Sequence, residues 1–155
     1  MLTSMLLRRQ HETIDALLVG LLAEPDSGRR LLLVVDVVEH VTAHLAVVKN
    51  IVHPAVDDVL SAALATSLQS STAARRGLLL LARACCDDDL CARRVRHLRS
   101  TMSDHAVRTA RLVELLELVL PVAAGEALCR EASRFYDACM GARKGNVTSG
   151  AAKAS

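Results

Sequence analysis

Histidine is the residue type in this chain that is best placed to bind a metal ion. His40 and His44 stand four residues apart, so a helix presents both imidazoles on one face. His11 lies in an earlier apolar segment and can meet this pair across a helical hairpin. Three imidazoles suit one zinc or ferrous ion, so the sequence predicts a candidate metal site made of His11, His40 and His44.

The same histidines also have a purely structural interpretation. His44 can be a hydrogen-bonded core residue, with His40 near the edge of the core. Asp15, one turn after His11, can be a fourth ligand, can hold His11 in one tautomer, or can pair with Arg111. We favour the ion pair, because a guanidinium that faces the interior needs a partner.

Other reactive residues give weaker signals. His105 is out of phase with the helix position expected of a ligand, so we place it on the surface or between helices. The five cysteines include no CxxC pair, and we expect buried structural thiols; the alternative is a thiol switch at Cys85, Cys86 and Cys91. The chain has no Gly-rich phosphate loop, nucleophile elbow or paired-carboxylate site, so no enzymatic activity is predicted.

The composition bounds the fold and the partners. Of the 155 residues, 52% are hydrophobic and 23% charged, which is enough for one domain with one core. Lys and Arg number 19 against 17 Asp and Glu, and the aromatic residues are Phe135 and Tyr136, so neither nucleic acid nor membrane is a predicted partner. Charges interrupt the apolar runs. We therefore expect neither a secretory signal nor a spanning helix, and predict a cytoplasmic protein.

Apolar residues recur at three- and four-residue spacing, which predicts an all-α chain. Pro54 and Pro121 end the second and fourth helices. The domain is expected to span 1–141, followed by a disordered tail, 142–155. The predicted helices cover residues 3–24, 29–52, about 72–86, about 90–120 and 123–140, with a short helical turn within 55–71.

Short connections between these helices favour an up-down-up-down four-helix bundle with a short C-terminal helix. The alternative is an open helical array. A weak internal repeat supports the bundle, because aligning Pro54 with Pro121, an offset of 67 residues, also aligns Val48 with Leu115. The second and fourth helices are then equivalent members of two hairpins.

Two segments of the chain resemble the hemerythrin-like (HHE cation-binding) domains. The first is the helix that His11 opens, HETIDALLVGLLA, and the second contains His44-Leu45 with Pro54 ten residues after His44. The resemblance covers about residues 5–140. It implies an up-down-up-down four-helix bundle and a diiron centre whose His and carboxylate ligands come from all four helices.

The resemblance also identifies the ligand positions, and most of them have changed. His11 and His44 match, but Val48 stands where the family has Glu, and Arg111 and Leu115 stand at the ligand positions of the fourth helix. Residues 70–76 carry neither His nor carboxylate. Imidazoles alone do not neutralise two iron ions beside an Arg, so an intact diiron centre is not expected.

We therefore expect a divergent hemerythrin-like protein that acts as a binding or regulatory module, without a cofactor and without oxygen carriage. Its expected partner is another protein or a second copy of itself. The alternative is a protein that binds iron or zinc, or senses oxygen or iron, through His11, His40 and His44. An iron-dependent redox enzyme is a third interpretation, which the missing carboxylates oppose.

Overall fold

The computed structural model describes residues 1–56, 60–84 and 88–151, without the side chains of 88 and 143–151. These residues form five α-helices and no strand, which confirms the all-α prediction. A π-helical segment, Val48–Val52, and a 3-10 turn, His53–Ala55, follow the second helix. The α-helices are α1 (Thr3–Ala23), α2 (Ser27–Val47), α3 (Ser61–Ala82), α4 (Asp88–Val119) and α5 (Val122–Ala151).

Two predicted boundaries are wrong. The chain stays helical past Val52, because Pro54 sits at the start of the 3-10 turn, where a missing N–H costs no hydrogen bond. Helix α3 begins at Ser61 and not near residue 72. Ser67 and Ser70 lie on its buried face, so tertiary packing outweighs the weak helix propensity of this polar stretch.

The fifth helix is longer than the prediction of 123–140. Helix α5 continues to Ala151, and residues 152–155 lie outside the described part of the chain. Its first half packs on α2, α1 and the π-helical segment, with Leu128 and Ala132 buried. The helix therefore belongs to the packed structure at least as far as these residues.

The core consists of two apolar clusters with a polar layer between them. One cluster contains Ile14, Leu18 and Leu98, and the other contains Leu7 and Leu112. In α1 and α4 buried polar residues separate the members of the two clusters, and in α2 His44 lies next to the change from one cluster to the other, between Leu45 and Val41. This polar layer consists of Gln10, His44, Ser67, Ser70, His105 and Thr109.

Helices α3 and α4 have the most extensive contact in the fold. Gly77 of α3 lies against α4, where an added Cβ would be 3.1 Å from Thr101 Oγ1 and 3.3 Å from Leu98 Cδ1. The side chains of Thr101 and Leu98 would have to shift by a few tenths of an ångström to admit a Cβ here. The small residue therefore allows the close approach that brings the serines of α3 next to α4.

One helical stretch, Ser27–Ala55, is long and apolar enough to cross a membrane by length and composition. Our expectation that charges exclude such a helix is wrong on this criterion. A core helix of a folded domain passes the same test. Here Val37, Val41 and Leu45 of this stretch are buried against the other helices, so its apolar side forms the protein core.

Replacing Leu18 by Ala should destabilise the fold by about 2 to 5 kcal/mol, because Leu18 is 0% exposed and its loss leaves a cavity. Urea unfolding followed by circular dichroism measures the change. Val19→Ala is the matched control on the same helix. Val19 is 43% exposed, and its truncation should change the free energy of unfolding by about 0.5 kcal/mol or less. Equal effects of the two substitutions would contradict this orientation of α1.

Candidate metal centre

Three histidines from three helices meet within the polar layer. His11 comes from α1, His44 from α2 and His105 from α4, and their ligand nitrogens all lie within 4.8 Å of one another. His44 Nε2 and His105 Nε2 lie 3.2 Å apart. Both of these side chains are 0% exposed. We call this group the histidine triad.

The other ring nitrogen, Nδ1, of two triad members has a hydrogen-bond partner that orients the ring. His44 Nδ1 lies 2.8 Å from Gln10 Oε1, which is an acceptor. His105 Nδ1 lies 3.1 Å from Ser70 Oγ, whose hydroxyl donates to the Ser67 carbonyl and so accepts from the ring. Both rings can therefore carry their proton on Nδ1 and offer Nε2 to a metal ion.

His11 follows the same pattern. Its Nε2 is buried and has no hydrogen-bond partner among the described residues. The ring also hydrogen-bonds to the backbone of Leu7, one turn earlier. Because Nε2 has no partner, this bond is made by Nδ1, and the Nε2 lone pair is free. All three rings thus present the nitrogen that a metal would need.

The 3.2 Å contact between His44 and His105 has two chemical states. When each ring carries its proton on Nδ1, two Nε2 lone pairs face each other and repel, and a cation between them removes the repulsion. Without a cation, one ring takes the other tautomer and donates across the contact. Thr109 Oγ1, 3.3 Å from His105 Nδ1, can then donate to the freed Nδ1.

Burial keeps the triad neutral. Loss of water lowers the pKa of His11 from 6.5 to about 4 and that of His105 to about 3. The pKa of His44 is also well below its usual value, because of burial first and then the neighbouring His11 and His105. At neutral pH a cation therefore has no protons to displace from these rings.

The geometry suits one metal ion better than two. Two nitrogens bound to one tetrahedral zinc ion lie about 3.3 Å apart, close to the His44–His105 separation. Two nitrogens bound to the same zinc ion cannot be more than about 4.1 Å apart. If the ligand nitrogen of His11 lies farther than this from that of His44 or His105, the His11 ring must move closer when the ion binds. No carboxylate belongs to the group among the described residues. A diiron site, which needs bridging carboxylates, does not fit this donor set.

The structure brings together two of the three histidines named from the sequence. His11 and His44 belong to the triad, whereas His40 Nδ1 lies 2.7 Å from the hydroxyl of Tyr136 on α5. The third member is His105, which the sequence analysis does not name as a ligand. It is fully buried between helices, so of the two positions expected for it the surface one is wrong and the interhelical one is correct.

The error came from the register assumed for α4. Alignment of Pro54 with Pro121 placed Arg111 at the ligand position, but Arg111 is exposed. His105 lies six residues earlier, about 9 Å along the helix. The missed signal is a single three- and four-residue stripe through α4 that His105 shares with apolar residues. Its members are Leu98, Met102, His105, Thr109, Leu112 and Leu116, all buried.

Asp15 neither joins the triad nor pairs with Arg111. Its carboxylate accepts two hydrogen bonds from Arg99 of α4, at 2.6 and 3.2 Å, and both side chains are about half exposed. This bidentate contact holds the pKa of the Asp15 carboxyl below its usual value. The favoured ion pair thus forms with a different arginine, one that an antiparallel α4 places opposite Asp15.

The cysteines lie away from the triad where they are described. Cys91 and Cys129 are buried, and Cys139 is half-buried. Cys85 and Cys86, which the thiol-switch interpretation requires, lie outside the described residues. Buried thiols at two positions agree with the structural role expected from the sequence.

Comparisons with protein-family models, with curated proteins and with solved structures find no match for this chain.

The stability of the metal-free protein should fall as the pH is lowered from 6.5 to 5. In this range the unfolded chain binds protons at the triad histidines and the folded chain does not, because their folded pKa values are lowered. Each ring should lower the free energy of unfolding by up to about 1.4 kcal/mol for every unit by which the pH falls. Above pH 6.5 the rings are neutral in both states and the free energy of unfolding is not reduced. The reduction is complete at about pH 3 to 4, where the folded rings also take up protons.

Urea unfolding in the presence of a chelator, at pH 7, 6 and 5, measures this dependence. The variant His105→Gln has one buried imidazole fewer, so its free energy of unfolding should depend less steeply on pH. A wild-type stability that stays constant across this range would show that the rings are hydrated and not buried as described.

Proposed function

We propose that this protein is a metal-binding module in which His11, His44 and His105 hold one divalent cation. The observation that carries the proposal is the convergence of three buried Nε2 atoms. His44 and His105 approach to 3.2 Å, and the buried Nε2 of His11 has no other described partner. A cation supplies the missing interaction for all three nitrogens at once.

Zinc and ferrous iron are the cations that the donor set favours. Both accept imidazole nitrogen, and zinc commonly takes three protein ligands while leaving a fourth position open. When bound, such an ion supplies Lewis acidity at that open position. The chain's own contribution is to keep the rings neutral and oriented through Leu7, Gln10 and Ser70. The geometry supports binding or sensing of the ion, and we propose no enzymatic reaction.

The energetic argument for function is that the polar layer is expensive to maintain. Buried imidazoles and hydroxyls stabilise a fold less than well-packed apolar side chains of similar volume. Six such residues in the middle of an apolar core, all on helices, therefore point to a purpose other than stability. Metal binding is the purpose that their arrangement fits.

We further propose that α1 to α4 form an up-down-up-down four-helix bundle of the hemerythrin-like kind. Each of these helices packs against two others in the cyclic order α1, α2, α3, α4, which supports this arrangement. Helices α1 and α4 are antiparallel, since Ser4 contacts Glu117 and Asp15 contacts Arg99. In this proposal a mononuclear histidine site takes the place of the family's diiron centre.

Purified, chelator-treated protein should bind one equivalent of zinc or ferrous iron. Binding to the folded state alone raises the free energy of unfolding, by about 2.7 kcal/mol when the free ion is at 100 times its Kd. Isothermal titration calorimetry gives the stoichiometry, and thermal melts with and without the ion give the stabilisation. The substitution His105→Gln should weaken binding by about 100-fold or more, since it removes a ligand.

His40→Gln is the matched control, because His40 lies on α2 one turn before His44 but bonds to Tyr136 instead of joining the triad. It should bind the ion as the wild type does. If His40→Gln abolishes binding and His105→Gln does not, the site predicted from the sequence is the real one. If the folded wild type binds no ion at all, the triad is a structural hydrogen-bonded cluster and the protein is a metal-free module.

A further inference from the structure

His11 is the triad member that borders open space in the described part of the chain. It lines two grooves between α1 and α4, one of about 820 Å³ and one of about 260 Å³. His44 and His105 line neither groove and are completely buried. Any molecule that reaches an ion at the triad must therefore approach past the His11 ring.

The larger groove is lined by both apolar and charged residues, the latter including the Asp15–Arg99 ion pair. Leu18 and Leu22 of α1 and Met102 of α4 line the part that leads away from the triad. Next to His11, α4 contributes the small residues Ser103 and Ala106. The groove runs from His11 to Leu22, about 16 Å along the helix, which suits an extended apolar chain.

A divalent ion at the triad would have no negatively charged ligand from the triad itself. A molecule that binds in the larger groove and reaches this ion should therefore carry an anionic head group. Three neutral imidazoles leave a divalent ion with its full double positive charge, in a site with little water. No carboxylate belongs to the triad among the described residues, and Asp15 is engaged by Arg99. Arg96 and Glu12 also line the groove, and their opposite charges offset each other. An external carboxylate would supply the missing negative charge.

We infer that the larger groove binds a medium-chain alkyl carboxylate, with its carboxylate on the open position of the metal ion and its alkyl chain along Ala16 and Leu22, the exposed apolar residues of the lining. The inference rests on the proposed metal site. The carboxylate offsets the charge of the ion, and the alkyl chain leaves water for an apolar surface. The bound ion would thereby report the presence of the carboxylate to the rest of the fold.

Cobalt(II) and octanoate test this inference on the full chain. Cobalt(II) takes the place of zinc and has a visible absorption spectrum that changes with its ligands. A spectrum after cobalt(II) addition demonstrates the metal site. Octanoate should then change that spectrum, with a half-saturating concentration at least 10-fold lower than that of acetate, because acetate has no chain to bury.

Two alanines of α4 provide a matched pair of variants. Ala106 lines both grooves, whereas Ala110, one turn later, lines the smaller groove and not the larger one. Ala106→Leu should fill the space beside His11 and raise the half-saturating octanoate concentration at least 10-fold. The cobalt spectrum without octanoate should remain. Ala110→Leu should leave the octanoate response unchanged.

Each other outcome has a defined meaning. A cobalt spectrum that octanoate does not change overturns the carboxylate inference and leaves the metal site intact. An unchanged octanoate response in Ala106→Leu, or equal potency of acetate, overturns the assignment to this groove. If Glu12→Gln alters the cobalt spectrum without any added ligand, the chain itself fills the open position and the inference is wrong. A folded protein with no cobalt spectrum overturns the proposed function itself.

Discussion

The burial of His44 against His105 is the constraint on which the rest of the structure depends. An imidazole pair 3.2 Å apart with no access to water is tolerable only if every remaining ring nitrogen has a partner. Gln10 of α1 and Ser70 of α3 provide those partners. The contact of His44 with His105 therefore requires a hydrogen-bonding residue at one position of α1 and at one position of α3. These requirements fix how the four helices are positioned along one another.

This constraint explains how the apolar clusters are divided. Above and below the polar layer the helices carry aliphatic side chains at helical spacing, and α3 carries small residues where it meets α4. A Cβ at Gly77 would press on Thr101 and Leu98 of α4, the helix that carries His105, the partner of Ser70. Ser70 can hydrogen-bond to His105 only when α3 packs closely on α4. The hydrogen bonding of the histidine pair and the packing of α3 therefore depend on each other.

The sequence predicts the helices well and the site only in part. The periodic aliphatic residues identify α1, α2, α4 and α5. The first half of α3 is missed because its buried positions are Ser67 and Ser70, which carry no apolar signal, whereas Leu78 and Leu81 mark the second half. His105 is missed because its contact with His44 depends on how far α4 is shifted along α2 in the folded structure. The alignment of Pro54 with Pro121 does not give this shift. His40 shares a helical face with His44 in sequence, yet α5 provides Tyr136 as its partner. A sequence pattern within one helix cannot anticipate a helix that packs over it 96 residues later.

The same reasoning separates the roles of the three triad rings. His44 and His105 are held on both ring nitrogens and enclosed on all sides, so they form the rigid part of the site. His11 is held on one nitrogen, by the backbone of its own helix, and beside it lie the small side chains Ser103 and Ala106. It is the ring held on fewer sides, so where a nitrogen separation exceeds the roughly 4.1 Å that one zinc ion allows, His11 is the ring that would move toward the ion. This ring also lines both grooves, so the proposed metal site and the surface between α1 and α4 share one side chain.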